Sequence, residues 1–335
     1  MGSFLDKPRT ETNPEVMEGK DLTCALVSMQ GWRVTQEDAH VMQLGVPGHD
    51  DVSWFGVFDG HGGSLISNEA AKRLLGKIDL SSTEPEALQA AMRKGFLECD
   101  AEMRKMDAIQ RGDDHSGSTA ITAFVTPTHI VTGNCGDSRA ILVASSGVKP
   151  LSFDHKPYNE AEAKRITEAG GTVTMRRVNG DLAVSRALGD YVYKHSRTLP
   201  AEKQQVSPEP EFTVHKRDAA TDQFLVLACD GIWDVMENDE VGAFLQERVA
   251  AGVDNLGELA DCLVRECLRL GSRDNMSVVL VALPAAPKPT PEAIAAYKKS
   301  KVQAEAAASE EEEGDVQVEG APAGASGGVS AAAQG

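Results

Sequence analysis

Short runs of branched aliphatic and aromatic residues alternate irregularly along this chain with longer segments whose apolar positions recur every three or four residues. Thr119–Val125 and His129–Thr132 are two such runs joined only through Thr126-Pro127-Thr128, too short a link for a parallel crossover, and Ile141–Ala144 follows another tight turn. Consecutive strands with tight links pair antiparallel, which argues against a doubly wound parallel sheet. Ala25–Met29, Val52–Phe58, Phe224–Cys229 and Ser277–Leu283 are further strand candidates. Their near-continuous Val, Leu and Phe content predicts sheets buried on both faces.

Helical spacing marks the rest. Leu88, Met92, Phe96, Cys99, Met103 and Met106 fall on one face, as do Val241, Phe244, Leu245 and Val249, and then Leu256, Leu259, Leu263, Cys267 and Leu270. Leu65–Ile78 has a helical pattern too, and Asn159 with Glu162 is a cap signal for a helix over Glu160–Ala169 that Gly170-Gly171 would stop. Amphipathic helices among antiparallel strands predict layers, with helices outside the sheets. After Leu283 the pattern fades. Pro284–Pro291 carries four prolines, Ala293–Ala308 is Ala-rich enough for one helix, and Glu310–Glu313 leads into a Gly/Ala/Ser end. Residues 284–335 have too few large apolar groups to offset ordering entropy and read as a mostly disordered tail.

The chain has 335 residues with 51 acidic against 33 basic side chains, a formal charge of −18. That balance speaks against a nucleic-acid or anionic-membrane surface. No apolar run approaches the ~18 residues of a membrane span, and Met1–Pro8 lacks the apolar core of a secretory signal. Six scattered cysteines, none in a C-x-x-C pair, fit a reducing compartment. A soluble, cytoplasmic monomer is expected, with nuclear or membrane-associated fractions left open. Gly2 permits N-myristoylation, which would bring peripheral membrane contact, although Asp6 stands where Ser or Thr is usual.

The informative feature is the placement of acids. Asp59 ends one apolar run and opens Asp59-Gly60-His61-Gly62-Gly63; Asp230 ends another; Asp137 follows Gly133–Gly136; Asp274 precedes the last strand; Glu37-Asp38 precedes Ala39-His40-Val41. Any single Asp-Gly at a strand end is a turn signal. Here, however, the chain after Gly63 and after Asp230 turns helical rather than into a second strand. Acids carried from buried strands to one edge repel each other and need a counter-charge, which a divalent metal supplies compactly. Oxygen ligands with few His and no Cys partners select Mg²⁺ or Mn²⁺ over Zn²⁺, and two such ions can activate a water for attack on phosphorus. Arg33 offers a planar fork for phosphate, or a surface arginine stacked on Trp32. His61 reads equally as a metal ligand, a turn histidine or a general acid.

Gln30-Gly31-Trp32-Arg33 with Glu37-Asp38-Ala39-His40 resembles the first motif of the metal-dependent protein phosphatase 2C family, and Phe58–Gly63 its second. Ser116–Ala120, Gly133–Arg139, Ala183–Asp190, Cys229–Asp234 and Ser272–Ser277 follow in the family's order, so the resemblance spans about Leu22 to Leu283. It implies an α+β fold of two stacked antiparallel β-sheets flanked by helices, an N-terminal extension over 1–21, a catalytic domain over 22–283 and the tail over 284–335. It implies a serine/threonine phosphatase acting on phosphoserine and phosphothreonine proteins, with two Mg²⁺ or Mn²⁺ ions and a weaker third. Asp59 would bridge the pair, the Gly60 carbonyl would touch one ion, Asp230 and Asp274 would hold the other, and Glu37 and Asp38 would serve directly or through water. Asp137 and Asp234 match the third site, Arg33 would bind phosphate, and His61 would protonate the leaving oxygen. Asp154–Asn179 would form a flap beside the site. The opening Met1–Pro8 resembles alpha-type members, which strengthens the case for acylation at Gly2, but their larger helical C-terminal domain has no counterpart here.

Four other readings compete. Cys267 and Arg273 fit the C-x₅-R spacing of cysteine phosphatases, yet Cys267 lies on a helical stripe where amides are already bonded. Gly324-Ala325-Ser326-Gly327-Gly328 matches G-x-S-x-G without a preceding strand. A catalytically dead scaffold would have lost a metal aspartate, and none is lost; a two-metal phosphodiesterase acting on nucleic acid is disfavoured by the net charge.

Overall fold

A computed structural model describes residues 4–316, with side chains through residue 303. Two antiparallel sheets stack face to face. The five-stranded sheet runs, in spatial order, Glu211–Lys216, His129–Cys135, Ala120–Val125, Ser53–Phe58 and Ala39–Gln43. The six-stranded sheet runs Gly147–Pro150, Arg139–Ala144, Asp222–Ala228, Met276–Ala282, Thr23–Met29 and Glu15–Glu18. The predicted strands are all present with ends shifted by a residue or a few.

Period-two alternation explains the layering. Phe55, Val57, Ile121 and Ala123 of one sheet meet Leu26, Leu142, Leu225, Leu227 and Val279 of the other in the seam between them. Their neighbours Trp54, Phe58 and Phe124 face outward onto Pro85–Met103 and Leu65–Arg73. Val27, Val143, Val226 and Leu280 face Asn238–Ala250 and Leu256–Arg269 on the other side. The expected α-β-β-α order therefore follows from which face each alternate residue takes.

Several expectations are corrected. Residues 4–18 are not an unpaired extension: Phe4–Arg9 pairs with Gly31–Arg33, and Glu15–Glu18 is an edge strand. They were hard to see because the edge strand buries no side chain, so no alternation betrays it. Met106 lies outside its helix, which ends at Met103. Asn159 does start the helix Glu160–Glu168 but makes no side-chain cap; it donates to the Asp154 carbonyl instead (2.8 Å). The tail helix is longer than expected, Pro291–Val316, and Tyr297 packs on the core and donates to Glu258 (3.0 Å). Residues 317–335, including the Gly324–Gly328 motif, lie outside the described residues, as does Gly2. No helix among the described residues is long and apolar enough to cross a membrane.

In the segment expected to form the flap, Ile166 and Val178 pack with Val184, Ala187 and Val206 of the chain that follows in a small separate core. Its hairpin, Val173–Thr174 with Arg177–Val178, turns through Met175 and Arg176, both at positive φ (51° and 64°). Glu162 ties this unit to the chain that follows it. Its buried carboxylate accepts from Arg165 (2.6 Å), Ser185 (2.6 Å) and Arg186 (2.8 Å). Burial opposes its ionisation, but the Arg186 hydrogen bond, the two arginine charges and Ser185 outweigh that and hold the carboxyl at about 2, below its ordinary 4.5. A carboxyl so depressed stabilises the fold fully above its unfolded pKa and loses that contribution as pH falls toward the folded value. Glu162→Gln should therefore lower stability at neutral pH by on the order of 2 kcal/mol. Urea midpoints of variant and native protein should converge as the pH is lowered from about 5 toward about 2, the window between the two pKa values.

Candidate active site

The strand registers bring the acids to one end of the sandwich. Ala39 pairs with Phe58 and Val57 with Ile121, so the start of Ala39–Gln43, the end of Ser53–Phe58 and the start of Ala120–Val125 lie together. In the other sheet Arg139 pairs with Ala228 and Met29 with Met276. Asp38, Asp59, Asp137, Asp230 and Asp274 are each within two residues of one of these ends. They line or back a cavity of about 580 Å³ whose wall includes Arg33, Glu37, Asp59, Gly60, His61, Asp137, Asp230, Asp234 and Asp274. A larger groove of about 690 Å³ lies at the opposite end of the same strands, beside Thr23, Phe224 and Ala282, without such convergence.

Hydrogen bonds hold the acids against their repulsion. Asn275 donates from Nδ2 to the carbonyls of Gln30 (2.9 Å) and Thr35 (3.0 Å) and accepts from the Glu37 amide (2.9 Å), fastening the Arg33–Glu37 loop to the strand that follows Asp274. Ser277 donates to Asp38 (2.6 Å). Asp59 is braced by Thr119, whose amide donates to its carbonyl (2.9 Å). Gly60 has no room for a side chain: a Cβ there would run into the Glu37 carbonyl and Ser67 Oγ. Burial, with the charges of Asp230, Asp38, Asp137 and Asp274, pushes the Asp59 carboxyl well above its usual range; burial with Asp137, Asp274 and Asp234 does the same to Asp230. Burial pushes Asp38 up to about 7 despite the Ser277 hydrogen bond.

Such a set fits hard divalent cations. The donors are carboxylates on a rigid frame, and their mutual repulsion is relieved by positive charge. Asp38, Asp59 and the Cys229 sulfur have ligand atoms within 4.8 Å of one another. Cys229 is already engaged, accepting from the Ser277 amide (3.1 Å), and its thiol is raised well above its ordinary value by burial and the neighbouring acids, so oxygen remains the donor type. Cys267 is fully buried, 3.7 Å from Met236 Sδ, and burial lifts its thiol to about 12, which removes the C-x₅-R reading.

Basic groups flank the acids. Arg33 Nη2 donates to Asp274 (2.6 Å), while its buried Nε has no partner. Lys156 donates to Asp137. His61 Nε2 donates to Asp190 (2.7 Å), whose side chain is 5 % exposed. Burial disfavours the imidazolium, but the charge and hydrogen bond of Asp190, with Asp137 and Glu37, hold His61 above its ordinary value.

The model of the Protein phosphatase 2C family matches residues 22–276. The chain belongs to the protein phosphatase 2C family. Protein phosphatase 1B of Mus musculus is 47% identical over 308 residues, 88% of this chain and 78% of the relative. Protein phosphatase 1A of Homo sapiens is 45% identical over 303 residues, 88% of this chain and 79% of the relative. A solved phosphatase from a pathogenic strain of Toxoplasma gondii superimposes with a TM-score of 0.72 at 29% identity, covering 82% of this chain and 96% of its own. A sex determining protein of C. elegans does so with a TM-score of 0.70 at 26% identity, covering 84% of this chain and 68% of its own. This phosphatase 2C chain is thus a metal-dependent protein serine/threonine phosphatase.

Sequence reasoning gave no role to Asn275, Asp190 or Lys156. Asn275 and Asp190 sit inside quoted motifs, but their partners are 238 and 129 residues away. Only the fold shows the contact. Gly117 was equally silent: a Cβ there would run into Asp190 Oδ2 and His61 Nε2. Gly117→Ala should part this pair, lowering phosphopeptide turnover by at least about tenfold while destabilising the fold by only about 1–3 kcal/mol. Steady-state kinetics beside a urea titration of the same variant check both numbers.

Proposed function

We propose that the carboxylate cluster holds two Mg²⁺ or Mn²⁺ ions, with a weaker third, and that the enzyme hydrolyses phosphoserine and phosphothreonine proteins without a covalent intermediate. The observation that carries the reading is the convergence of Asp59, Asp137, Asp230 and Asp274 from both sheets on one cavity, with Asp59 and Asp230 pushed up by their neighbours. Asp59 would serve both ions of the pair and the Gly60 carbonyl one of them; Asp230 and Asp274 would hold the other; Glu37 and Asp38 would act directly or through water; Asp137 and Asp234 would hold the third. When bound, two such ions supply a water activated for in-line attack on phosphorus.

The chain's own groups do the rest. Arg33 presents a guanidinium at the cavity wall, a planar fork that can donate to phosphate oxygens. The hydrogen bond from His61 Nε2 to Asp190 fixes the ring and leaves Nδ1 as the nitrogen that can give a proton to the departing seryl or threonyl oxygen. Asp190 is a positioning residue. The enzyme acts as a cytoplasmic monomer in this reading, and acylation of Gly2, if present, would add a membrane-associated fraction.

Hydrolysis of a phosphothreonine peptide with Mn²⁺ tests the metal centre. Chelator and Asp230→Asn should each reduce turnover by about a thousandfold or more, in line with the several kcal/mol a metal ion contributes. Chelator-insensitive turnover, or full activity of the variant, overturns the assignment. His61→Gln should slow the phosphothreonine peptide about a hundredfold more than an aryl phosphate, whose leaving group needs no proton. Equal slowing of both substrates would remove His61 from the acid role.

A further inference from the structure

Besides His61, three basic side chains line the active-site cavity among the described residues: Arg33, Lys156 and Arg177. Arg33 is paired with Asp274 on one flank, and Arg177 gives its Nη1 to the Asp181 carbonyl (2.6 Å). Lys156 stands on the other flank, where its ammonium meets Asp137, a carboxylate with only 4 % of its side chain exposed.

This contact is not a long side chain resting on a surface. The backbone that carries Lys156 is fastened to the backbone that carries Asp137. The His155 amide donates to the Gly136 carbonyl (2.9 Å), and the Gly136 amide donates to His155 Nδ1 (3.2 Å). Asn134 Nδ2 donates to the Phe153 carbonyl (2.8 Å), and the Asn159 amide donates to the Lys156 carbonyl (3.0 Å). The ammonium is thus delivered to one place, beside Asp137 and in the same cavity as Asp230 and Asp234.

An ammonium is a compact point charge, close in character to a small cation. Asp137 is one of the acids that would hold the weaker third ion, and an ammonium and a divalent cation beside the same carboxylate repel each other. We propose that Lys156 is a tethered counter-ion. Its ammonium neutralises Asp137 while the third site is empty and is displaced when a divalent ion binds there, so Lys156 sets that ion's affinity. The proposal rests on the two-metal reading above and adds a competitor that is part of the chain itself. It also links the outer cation to the flap, because Lys156 lies four residues before the helix Glu160–Glu168.

Mn²⁺ binding to the full chain, measured by equilibrium dialysis with detection of free Mn²⁺ and without substrate, tests this apart from turnover. In Lys156→Met the weakest class of Mn²⁺ should tighten by about tenfold, equivalent to about 1.4 kcal/mol, while the tighter classes keep their constants. Lys156→Gln should do the same, which covers a folding failure of the first variant. Asp137→Asn in the Lys156→Met background should abolish the gain. An unchanged or weakened third class in Lys156→Met and Lys156→Gln overturns the proposal. If the native chain binds no Mn²⁺ that Asp230→Asn removes, the metal reading itself fails instead.

Discussion

Electrostatic repulsion among converging carboxylates is the constraint around which this molecule is arranged. Asp59 and Asp230 lie where burial and the charges of neighbouring acids both disfavour ionisation. A fold built for stability alone would not gather them. Here the gathering is enforced by strand register: both sheets end at one rim, and each rim loop adds an acid. The remaining cost is met by neutral donors such as Ser277 on Asp38, and by cations such as Arg33 on Asp274 and Lys156 on Asp137. Buried charge without a partner is expensive, so a site of this kind is stable only with positive charge nearby.

The same constraint gives a role to the packing beneath the rim. Phe55, Val57, Leu225 and Leu227 are fully buried in the seam directly below the acids. Close packing there resists the sub-ångström shifts by which repelling carboxylates would otherwise separate. Asn275 extends that stiffness into the loop carrying Arg33 and Glu37, and Gly60 lets the backbone approach the Glu37 carbonyl more closely than any side chain would allow. Preorganised groups of this sort need not reorganise when charge develops on a substrate.

Much of this was legible in the amino-acid sequence, for a physical reason. Strands buried on both faces announce themselves as continuous apolar runs, and Val52–Phe58 and Phe224–Cys229 were located within two residues of their ends. Acids at the ends of such runs are equally visible, so Glu37, Asp59, Asp137, Asp230 and Asp274 of the cavity wall could be named from their placement, whereas Asp181 could not. What stayed hidden depends on contacts between distant segments. The edge strand Glu15–Glu18 buries nothing, Asn159 exchanges its cap for the Asp154 carbonyl, and the His61–Asp190 pair joins residues 129 positions apart. Periodicity reports which face a side chain takes, but never which remote partner it meets there.

The segment Asp154–Asn179 and the clustered acids rest on separate supports. The flap hangs on a small separate core and on Glu162, whose arginine partners Arg165 and Arg186 touch none of the clustered acids. Its hairpin tip, with Met175 and Arg176 in left-handed conformations, stands outside both sheets, and Met175 is 88% exposed. Only a few side chains of this unit, among them Lys156 and Arg177, reach the cavity. The other side chains of Asp154–Asn179 do not line the cavity. Any change that reaches the acids through this segment has to pass through those few contacts, and at Asp137 the contact is Lys156.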